Sequence, residues 1–236
     1  MAKDAILLVE DDQGIADFLK TAIGRDPRYT LQHAGSLREA QEQILQRRKS
    51  HAGPFRVVLL DLGLPDGDGM DVIPWIRAGL PETVIMVLSA RHQEEGKIRA
   101  FQSGADDYLT KPFTPGELVA RMEAHLRRLQ VQPQEINPSV GGWSLLDENR
   151  LLRTGEGREV ALTMKEYQII RMLLLNMGKA VSHQKLLTAV WGPTHADQTH
   201  YLRIYIQRLR EKLEEDPNHP RHIITEPGIG YRLILD

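Results

Sequence analysis

The sequence predicts a doubly wound α/β domain with a five-stranded parallel sheet, followed by a smaller α+β domain. Three observations support this prediction. Short apolar runs alternate with amphipathic helical stretches in the first half, a polar stretch with two prolines then interrupts the pattern, and short strand-like segments surround three helices in the second half. Strands that alternate with helices are typical of a parallel sheet covered on both faces. We therefore predict domains at residues 1–129 and 140–236, joined by a linker at 130–139.

The bulk composition fits two globular domains of ordinary size. The chain has 236 residues, of which 41% are hydrophobic, and a net charge of −2, so its overall charge does not indicate a nucleic-acid partner. There is no cysteine, which excludes a disulfide framework and thiolate metal sites. The apolar run at residues 5–9 is too short for a signal peptide, and no run approaches the ~20 residues of a membrane helix. We expect a cytoplasmic protein that does not bind a membrane.

The first domain is predicted to contain five strand–helix units. Apolar runs predict strands at 5–9, 29–34, 57–60, 83–88 and 108–109. Apolar residues at the helical period predict helices at 13–23, 37–48, 70–77, 94–102 and 117–129. Because crossovers between parallel strands are right-handed, we expect ligands to bind where the carboxyl ends of the strands meet.

Polar side chains follow four of these strands. Glu10, Asp11 and Asp12 come after the first strand, and Asp61 closes the third. In a sheet of the flavodoxin type these two strands are neighbours, and clustered carboxylates favour a hard cation such as Mg²⁺. Ser89 ends the fourth strand and Lys111 follows the fifth. A carboxylate acceptor, a metal ion and a cation for the remaining oxygens are the groups that phosphoryl transfer uses.

Each of these residues also has an ordinary structural explanation. An aspartate at a strand end is more often a cap or a turn residue, and the glycines at 63, 67 and 69 are compatible with a simple loop. The functional interpretation depends on acids, hydroxyl and lysine falling in order at the ends of strands one, three, four and five. The Lys111–Pro112 bond is a candidate cis peptide, although most such bonds are trans.

Four motifs resemble the receiver domain of bacterial response regulators. They are Val-Glu-Asp-Asp (9–12), Leu-Asp-Leu-Gly-Leu-Pro-Asp-Gly-Asp-Gly (60–69), Ser-Ala-Arg (89–91) and Gly-Ala-Asp-Asp-Tyr-Leu-Thr-Lys-Pro-Phe (104–113). The resemblance implies that a sensor histidine kinase phosphorylates Asp61. It also implies that Asp11 and Asp61 bind Mg²⁺ together with the Gly63 carbonyl, and that Glu10 reaches the ion through water.

The same resemblance implies roles for residues further along the domain. Ser89 and Lys111 would hold the phosphoryl oxygens, and Tyr108 matches the aromatic switch position. The segment from the fourth helix to the fifth dimerises in such relatives. On it we expect a homodimer interface in the phosphorylated state, with Lys97 facing Glu117 and Asp107 facing Arg121 of the other copy. The interface residues are Lys97, Asp106, Asp107, Glu117 and Arg121.

Two other functions would use a similar first domain. An aspartate-nucleophile phosphatase needs a second acid two residues after its nucleophile, but this position is Gly63. We therefore expect a protein that is not an enzyme, with at most slow self-dephosphorylation. A receiver that is never phosphorylated and only scaffolds protein contacts would not need Ser89, Lys111 and the complete set of acids.

The second domain begins with strands predicted at 143–146, 150–153 and 159–162. Thr163 and Glu166 have the spacing of a capping box that begins a helix. Ser182 can cap a short helix and Asp197 a long one, at 198–213. Apolar residues predicted on one side of that long helix are Tyr201, Ile204, Tyr205, Ile206, Leu209 and Leu213. A hairpin is predicted at 223–225 and 231–235 around Pro-Gly-Ile-Gly.

The long helix is basic within a domain that is neutral. Residues 133–236 contain 13 Lys and Arg and 13 Asp and Glu, whereas the helix at 198–213 has four basic residues and one acid. A solvated charged face usually explains such a run. A short helix, a turn, a longer basic helix and a hairpin are, however, the order of a helix-turn-helix with a wing. This order favours DNA binding.

Further motifs resemble the winged helix-turn-helix effector domain of the OmpR/PhoB class. They are Leu-Thr-Met-Lys-Glu-Tyr (162–167), Val-Trp-Gly-Pro (190–193), Ile-Gln-Arg-Leu-Arg-Glu-Lys-Leu (206–213) and Gly-Ile-Gly-Tyr-Arg (228–232). The resemblance implies major-groove contacts from His200, Arg203, Ile204 and Arg208. It implies phosphate contacts from Arg210, Thr225 and Tyr231.

The resemblance also implies partners. They are double-stranded DNA with direct-repeat half-sites, RNA polymerase and a sensor histidine kinase. Pro227 stands where many relatives have a basic wing residue, which puts minor-groove reading by the wing in doubt and leaves Arg221 and Arg232 as alternatives. Segments 61–69, 200–205 and 220–232 resemble regulators of a high-affinity potassium-uptake operon.

Overall fold

The computed structural model describes residues 3–50, 53–130, 139–146, 150–192 and 199–235. The chain divides into two compact units, Met1–Val131 and Gln132–Asp236. Of the predicted linker, residue 130 belongs to the last helix of the first unit, and Ser139 begins a strand of the second. The remaining linker residues lie outside the described part of the chain. In that part, no helix is both long enough and apolar enough to cross a bilayer.

The first unit alternates strands with helices. Its strands are β1 (Asp4–Val9), β2 (Tyr29–Ala34), β3 (Val57–Asp61), β4 (Gly63–Leu64), β5 (Gly67–Asp68), β6 (Val84–Ser89) and β7 (Asp107–Thr110). Its helices are α1 (Gln13–Gly24), α2 (Leu37–Lys49), α3 (Gly69–Gly79), α4 (Glu94–Ser103) and α5 (Pro115–Gln130). Five strands form one parallel sheet in the order β2-β1-β3-β6-β7. The predicted doubly wound fold is confirmed.

Burial explains why the central strands are continuously apolar. All residues of β3 and β6 are buried, as expected for strands covered on both faces. Helices α1 and α2 begin at side-chain caps, since Asp12 accepts a hydrogen bond from Ile15 N and Ser36 accepts one from Glu39 N. The strand order places the carboxyl end of β3 between those of β1 and β6. The loops after these strands therefore meet at one edge of the sheet.

A small hairpin, β4–β5, follows Asp61 directly. Its two pairs are Gly63 with Asp68 and Leu64 with Gly67. We did not predict these strands, because two residues are too few for a recognisable period. Gly69 closes the base of the hairpin, where a Cβ atom would lie 2.3 Å from the Asp61 carbonyl oxygen. Only glycine allows this close approach.

The second unit is an α+β domain. Its strands are β8 (Ser139–Val140), β9 (Trp143–Leu146), β10 (Leu151–Arg153), β11 (Glu159–Ala161), β12 (Val181–Ser182), β13 (Ile223–Glu226) and β14 (Gly230–Leu233). Its helices are α6 (Met164–Leu175), α7 (His183–Trp191) and α8 (Thr199–Leu213). One sheet has the order β11-β10-β9-β8, and the other has the order β12-β14-β13. The helix pair α7–α8 and the hairpin β13–β14 agree with the predicted winged helix-turn-helix.

Local signals predicted the starts of α6 and α7 correctly. Thr163 and Glu166 form the capping box of α6, and the Ser182 hydroxyl accepts a hydrogen bond from Lys185 N at the start of α7. Asp197, the predicted cap of α8, lies outside the described residues. On α8, Ile204 is only half-buried, whereas its neighbour Tyr205 is buried and meets Trp191 edge to face at 5.2 Å.

Candidate functional site

Lys111 lies between two carboxylates at the carboxyl edge of the parallel sheet. Its ammonium donates to Asp61 Oδ2 at 2.5 Å and to Glu10 Oε2 at 2.7 Å. Glu10 is fully buried and Asp61 is 8% exposed, so both ion pairs are shielded from water. The Lys111 backbone N–H donates to Ser89 O, and the Lys111–Pro112 peptide is cis. The structure thus brings together predicted residues from the ends of β1, β3 and β7.

Three carboxylates at this edge have the arrangement of a metal site. Oxygen atoms of Glu10, Asp11 and Asp61 lie within 4.8 Å of one another. Glu10 Oε1 is buried and accepts no hydrogen bond from any described residue. Asp61 Oδ1 accepts a hydrogen bond from Gly63 N at 3.2 Å, which places the Gly63 backbone beside the cluster. A hard divalent cation such as Mg²⁺ fits this set of oxygen donors.

The electrostatics of the cluster follow from burial and charge. Burial raises the pKa of Glu10, the Lys111 ammonium opposes that effect, and the Asp61 carboxylate adds to it, so the pKa of Glu10 is raised. Burial lowers the pKa of Lys111, but its hydrogen bonds to Asp61 and Glu10 more than compensate, so the pKa of Lys111 is raised. Lys111 is therefore charged at neutral pH.

Arg91 connects two further predicted residues, Ser89 and Tyr108. The Ser89 hydroxyl accepts a hydrogen bond from Arg91 N at 3.1 Å, and the Tyr108 hydroxyl donates to Arg91 O at 2.9 Å. The Arg91 guanidinium in turn pairs with Asp68 Oδ2 at 2.8 Å. Both Ser89 and Tyr108 are buried. Arg91 was part of the Ser-Ala-Arg motif, but the sequence did not indicate that it joins these residues.

Asp106, one of the residues predicted for the dimer interface, is buried within its own domain. Asp106 is 3% exposed, and its Oδ2 accepts hydrogen bonds from Arg77 Nη2 at 2.6 Å and from Ile85 N at 2.9 Å. This carboxylate is directed into its own domain, because the β6 backbone and Arg77 need an acceptor there. That Asp106 belongs to the dimer interface stays a prediction.

Three of the other predicted interface residues, Asp107, Glu117 and Arg121, form contacts within the chain. Asp107 is buried and accepts hydrogen bonds from Arg121 Nη1 at 3.4 Å and from His125 Nε2 at 3.1 Å. Arg121 also pairs with Glu117 at 3.1 Å, one helical turn away on α5. Lys97 is half-buried on α4. The Asp107–Arg121 pair, which we expected between two copies, is therefore present within one.

The predicted major-groove residues share one side of α8. Arg203 is exposed, while His200, Ile204 and Arg208 are partly exposed. The Arg208 guanidinium lies 5.9 Å from the centre of the Tyr205 ring. The opposite side of α8 is buried and consists of Tyr201, Leu202, Tyr205, Ile206, Leu209 and Leu213. The helix thus presents two arginines beside a partly exposed isoleucine.

The predicted phosphate contacts are mostly engaged inside the domain. Arg210 donates to Ile223 O at 2.7 Å and to Thr225 Oγ1 at 2.8 Å, and burial lowers the pKa of its guanidinium. Tyr231 is 4% exposed, and burial raises the pKa of its hydroxyl. Its ring meets that of His183 edge to face at 5.4 Å. Tyr231 is therefore largely buried, and its predicted phosphate contact stays a prediction.

Further basic residues near α8 have acidic partners. The Lys212 ammonium donates to Glu166 Oε2 at 2.7 Å and thereby stabilises the α6 capping box, to which Glu166 belongs. The wing residue Arg232 pairs with Glu226 at 2.5 Å, and Arg221 lies 3.7 Å from Glu215. More of the basic side chains on and near α8 consequently have an acidic partner than the sequence indicated.

Comparisons with known proteins agree with both domains. Residues 6–123 match the family described as response regulator receiver domain, and residues 157–233 match transcriptional regulatory protein, C terminal. The KDP operon transcriptional regulatory protein KdpE of Escherichia coli (strain K12) is 44% identical over 234 residues, which are 98% of this chain and 99% of KdpE.

Solved structures show similar architectures. A mutant of RitR is 25% identical with a TM-score of 0.76, covering 99% of this chain and 100% of RitR. The response regulator DrrB, a Thermotoga maritima OmpR/PhoB homolog, is 29% identical with a TM-score of 0.50, covering 98% of this chain and 99% of DrrB. With its receiver domain and its C-terminal transcriptional regulatory domain, the chain belongs to the OmpR/PhoB class of response regulators.

Proposed function

We propose that Asp61 accepts a phosphoryl group from a sensor histidine kinase and that this modification controls binding of α8 to DNA. The observation that carries the proposal is the convergence of Lys111, Glu10 and Asp61 at the carboxyl edge of the sheet, with Lys111 Nζ 2.5 Å from Asp61 Oδ2. A lysine in contact with an acceptor carboxylate is placed to bind the oxygens of an incoming phosphoryl group.

Asp11, Asp61 and the Gly63 carbonyl would hold Mg²⁺, with Glu10 reaching it through water. The ion would neutralise charge on the phosphoryl oxygens. A carboxylate oxygen of Asp61 forms the new O–P bond as the N–P bond to the kinase histidine breaks, and the histidine nitrogen takes up a proton. Lys111 then exchanges its contact with Asp61 for a phosphoryl oxygen, and the Ser89 hydroxyl donates to another. Because position 63 is glycine, hydrolysis of the product lacks an adjacent acid and should be slow.

Phosphorylation would promote a homodimer through α4, β7 and α5. The proposed interface includes Lys97, Asp106, Asp107, Glu117 and Arg121. A dimer would place two winged helices on direct-repeat half-sites about one helical turn apart, ~10–11 bp centre to centre. RNA polymerase is the proposed recipient of the regulatory signal.

The proposed target is a potassium-uptake operon. The support is the 44% identity to the KDP operon regulator of Escherichia coli over nearly the whole length of both chains. This assignment is tested by measuring how the phosphorylated protein binds the promoter of a potassium-uptake operon from the same genome. The control is a scrambled fragment at the same salt concentration.

Intact mass after incubation with acetyl phosphate and Mg²⁺ tests the phosphorylation step. We expect an adduct of ~80 Da on the wild type. Asp61→Asn should show no adduct while retaining its fold, because the two side chains are nearly isosteric. Continuous release of phosphate without an adduct would instead indicate a phosphatase. Absence of both adduct and turnover would indicate a receiver that only scaffolds protein contacts.

A further inference from the structure

The hairpin that follows Asp61 is too short to be stable without anchors. It contains two residue pairs, Gly63 with Asp68 and Leu64 with Gly67. Even much longer isolated hairpins are only marginally stable in water. The backbone of Gly63, which lies beside the acidic cluster, therefore depends on contacts that the hairpin makes with the rest of the domain.

The base of the hairpin is anchored to α3 and to the loop after β6. Asp68 Oδ1 accepts a hydrogen bond from Met70 N at 3.0 Å and its Oδ2 pairs with Arg91. Gly69 N donates to Leu62 O at 3.0 Å. These contacts hold one end of the hairpin and leave the opposite end, the turn at Pro65, Asp66 and Gly67, exposed.

Asp66 anchors that turn to the start of α2. Its Oδ1 accepts a hydrogen bond from Leu37 N, and its Oδ2 accepts one from Arg38 N, both at 2.9 Å. The two hydrogen bonds lower the pKa of Asp66 more than burial raises it, so the carboxylate is ionised at neutral pH. Among the described residues, these are the hydrogen bonds that join the turn to another element.

The packing at the turn is close as well. A Cβ atom on Gly67 would lie 3.1 Å from Leu37 Cδ1, and Gly67 has a φ of +156°. Ser36 supplies a separate cap, since its hydroxyl accepts a hydrogen bond from Glu39 N at 3.2 Å. The first turn of α2 therefore has two caps, one from its own N-terminal residue and one from the hairpin 28 and 29 residues away.

We propose that Asp66 is a positioning residue for the Mg²⁺ site. By binding two backbone N–H groups of α2, its carboxylate fixes the β4–β5 turn and, through Leu64 and Gly67, the Gly63 carbonyl. The proposal rests on the proposed function of Gly63 as a ligand. Without the Asp66 carboxylate, binding of the ion must also order the hairpin, and that conformational cost weakens binding.

The test is titration of the full-length chain with MgCl₂ by isothermal calorimetry. Asp66→Ala should bind Mg²⁺ about fivefold more weakly, the ratio that corresponds to a cap worth about 1 kcal/mol. Asp66→Asn retains one carbonyl oxygen as an acceptor and should fall between wild type and Asp66→Ala. Hydrogen exchange at Leu37 and Arg38 should be faster in Asp66→Ala with or without Mg²⁺, because the carboxylate that accepts from these two N–H groups is gone.

Two matched variants separate positioning from general loss of structure. Ser36→Ala removes the other cap of α2 without touching the hairpin, and Asp26→Ala removes a half-buried carboxylate that binds Arg28 N elsewhere in the domain. Both should retain wild-type Mg²⁺ affinity. If Ser36→Ala weakens Mg²⁺ binding as much as Asp66→Ala, fraying of α2 is the cause and the proposal is overturned.

The other outcomes also decide the question. Equal Mg²⁺ affinity of Asp66→Ala and wild type, or no Mg²⁺ binding by wild type, would overturn the proposal. Wild-type protein that binds Mg²⁺ but forms no phosphoryl adduct would contradict the proposed function alone, because calorimetry still reports on Asp66.

Discussion

The Lys111 ammonium lies 2.5 Å from Asp61 Oδ2 and 2.7 Å from Glu10 Oε2, so that one cation is shared by two largely buried carboxylates. Mg²⁺ held by Asp11 and Asp61 would add to the positive charge that Lys111 supplies beside these carboxylates. Lys111, Mg²⁺ and the phosphoryl group would therefore all contribute to the net charge of this site.

Replacement of Lys111 by Met should destabilise the metal-free protein. The substitution removes two charge-assisted hydrogen bonds and leaves Glu10 and Asp61 to repel each other, at a cost of roughly 1–3 kcal/mol. Mg²⁺ should reduce this difference, because the ion replaces the lost charge. Thermal unfolding with and without MgCl₂ checks both effects. Lys20→Met, which removes an exposed pair with Asp17, is the control, and an equal effect of the two substitutions would contradict the expectation.

Glu10 should make Mg²⁺ binding depend on pH. The folded-state pKa of Glu10 is raised, first by burial. Its contribution to stability is therefore fully present below the ordinary glutamate pKa of about 4.3 and is lost as pH rises through the folded-state pKa. Mg²⁺ favours the ionised form, so its affinity should increase with pH over the same window. Calorimetric titrations should show a flatter pH dependence for Glu10→Gln; identical curves for the two proteins would count against it.

Arg203 and Arg208 should contribute differently to DNA binding. They are five residues apart on α8, so their directions diverge by about 140°. We expect Arg203 to read bases, and Arg203→Ala to cost roughly 1–3 kcal/mol and relax preference at one position. Arg208→Ala should weaken binding to all sequences and reduce the salt slope by about one. Titrations on specific and scrambled duplexes distinguish them; equal losses on both duplexes for Arg203→Ala would exclude base reading.

Arg210 should act on the fold of the second domain more than on DNA. Its guanidinium ties α8 to the wing through Ile223 O and Thr225 Oγ1. Arg210→Met should lower the free energy of unfolding by about 1–2 kcal/mol, because these hydrogen bonds are lost. At temperatures below unfolding, the slope of the logarithm of DNA affinity against the logarithm of salt concentration should equal that of the wild type. A slope shallower by about one, with unchanged stability, would show instead that Arg210 binds phosphate.

Arg121→Glu should weaken the dimer of the phosphorylated protein. The substitution places a carboxylate opposite Asp107, whether that residue belongs to the same chain or to the second copy. Sedimentation of the phosphorylated protein should show a larger monomer fraction than for wild type. Arg127→Glu alters an exposed arginine on the same helix that pairs with Glu123, and it should leave the dimer unchanged. Equal dissociation of both variants would indicate general charge repulsion.

Several features were predictable because they depend on local patterns. The alternation of apolar runs and amphipathic helices predicted the parallel sheet, and the rule that its strand ends meet predicted that Glu10, Asp61 and Lys111 would lie together. The capping box of Thr163 and Glu166 was equally local. The two-residue strands of the β4–β5 hairpin were not predictable, because they have no period and form only through their anchors.

The sequence by itself determined which side chains stand at strand ends, at helix starts and on the polar side of α8. Only the tertiary structure decided which partner each of them has. Asp66 binds the start of α2, Lys212 binds Glu166 46 residues away, and Asp106 turns inward to Arg77 and Ile85. Charge and the helical period show in which direction a side chain leaves the backbone. Which residue that side chain then contacts depends on the distant elements that pack beside it in the folded core.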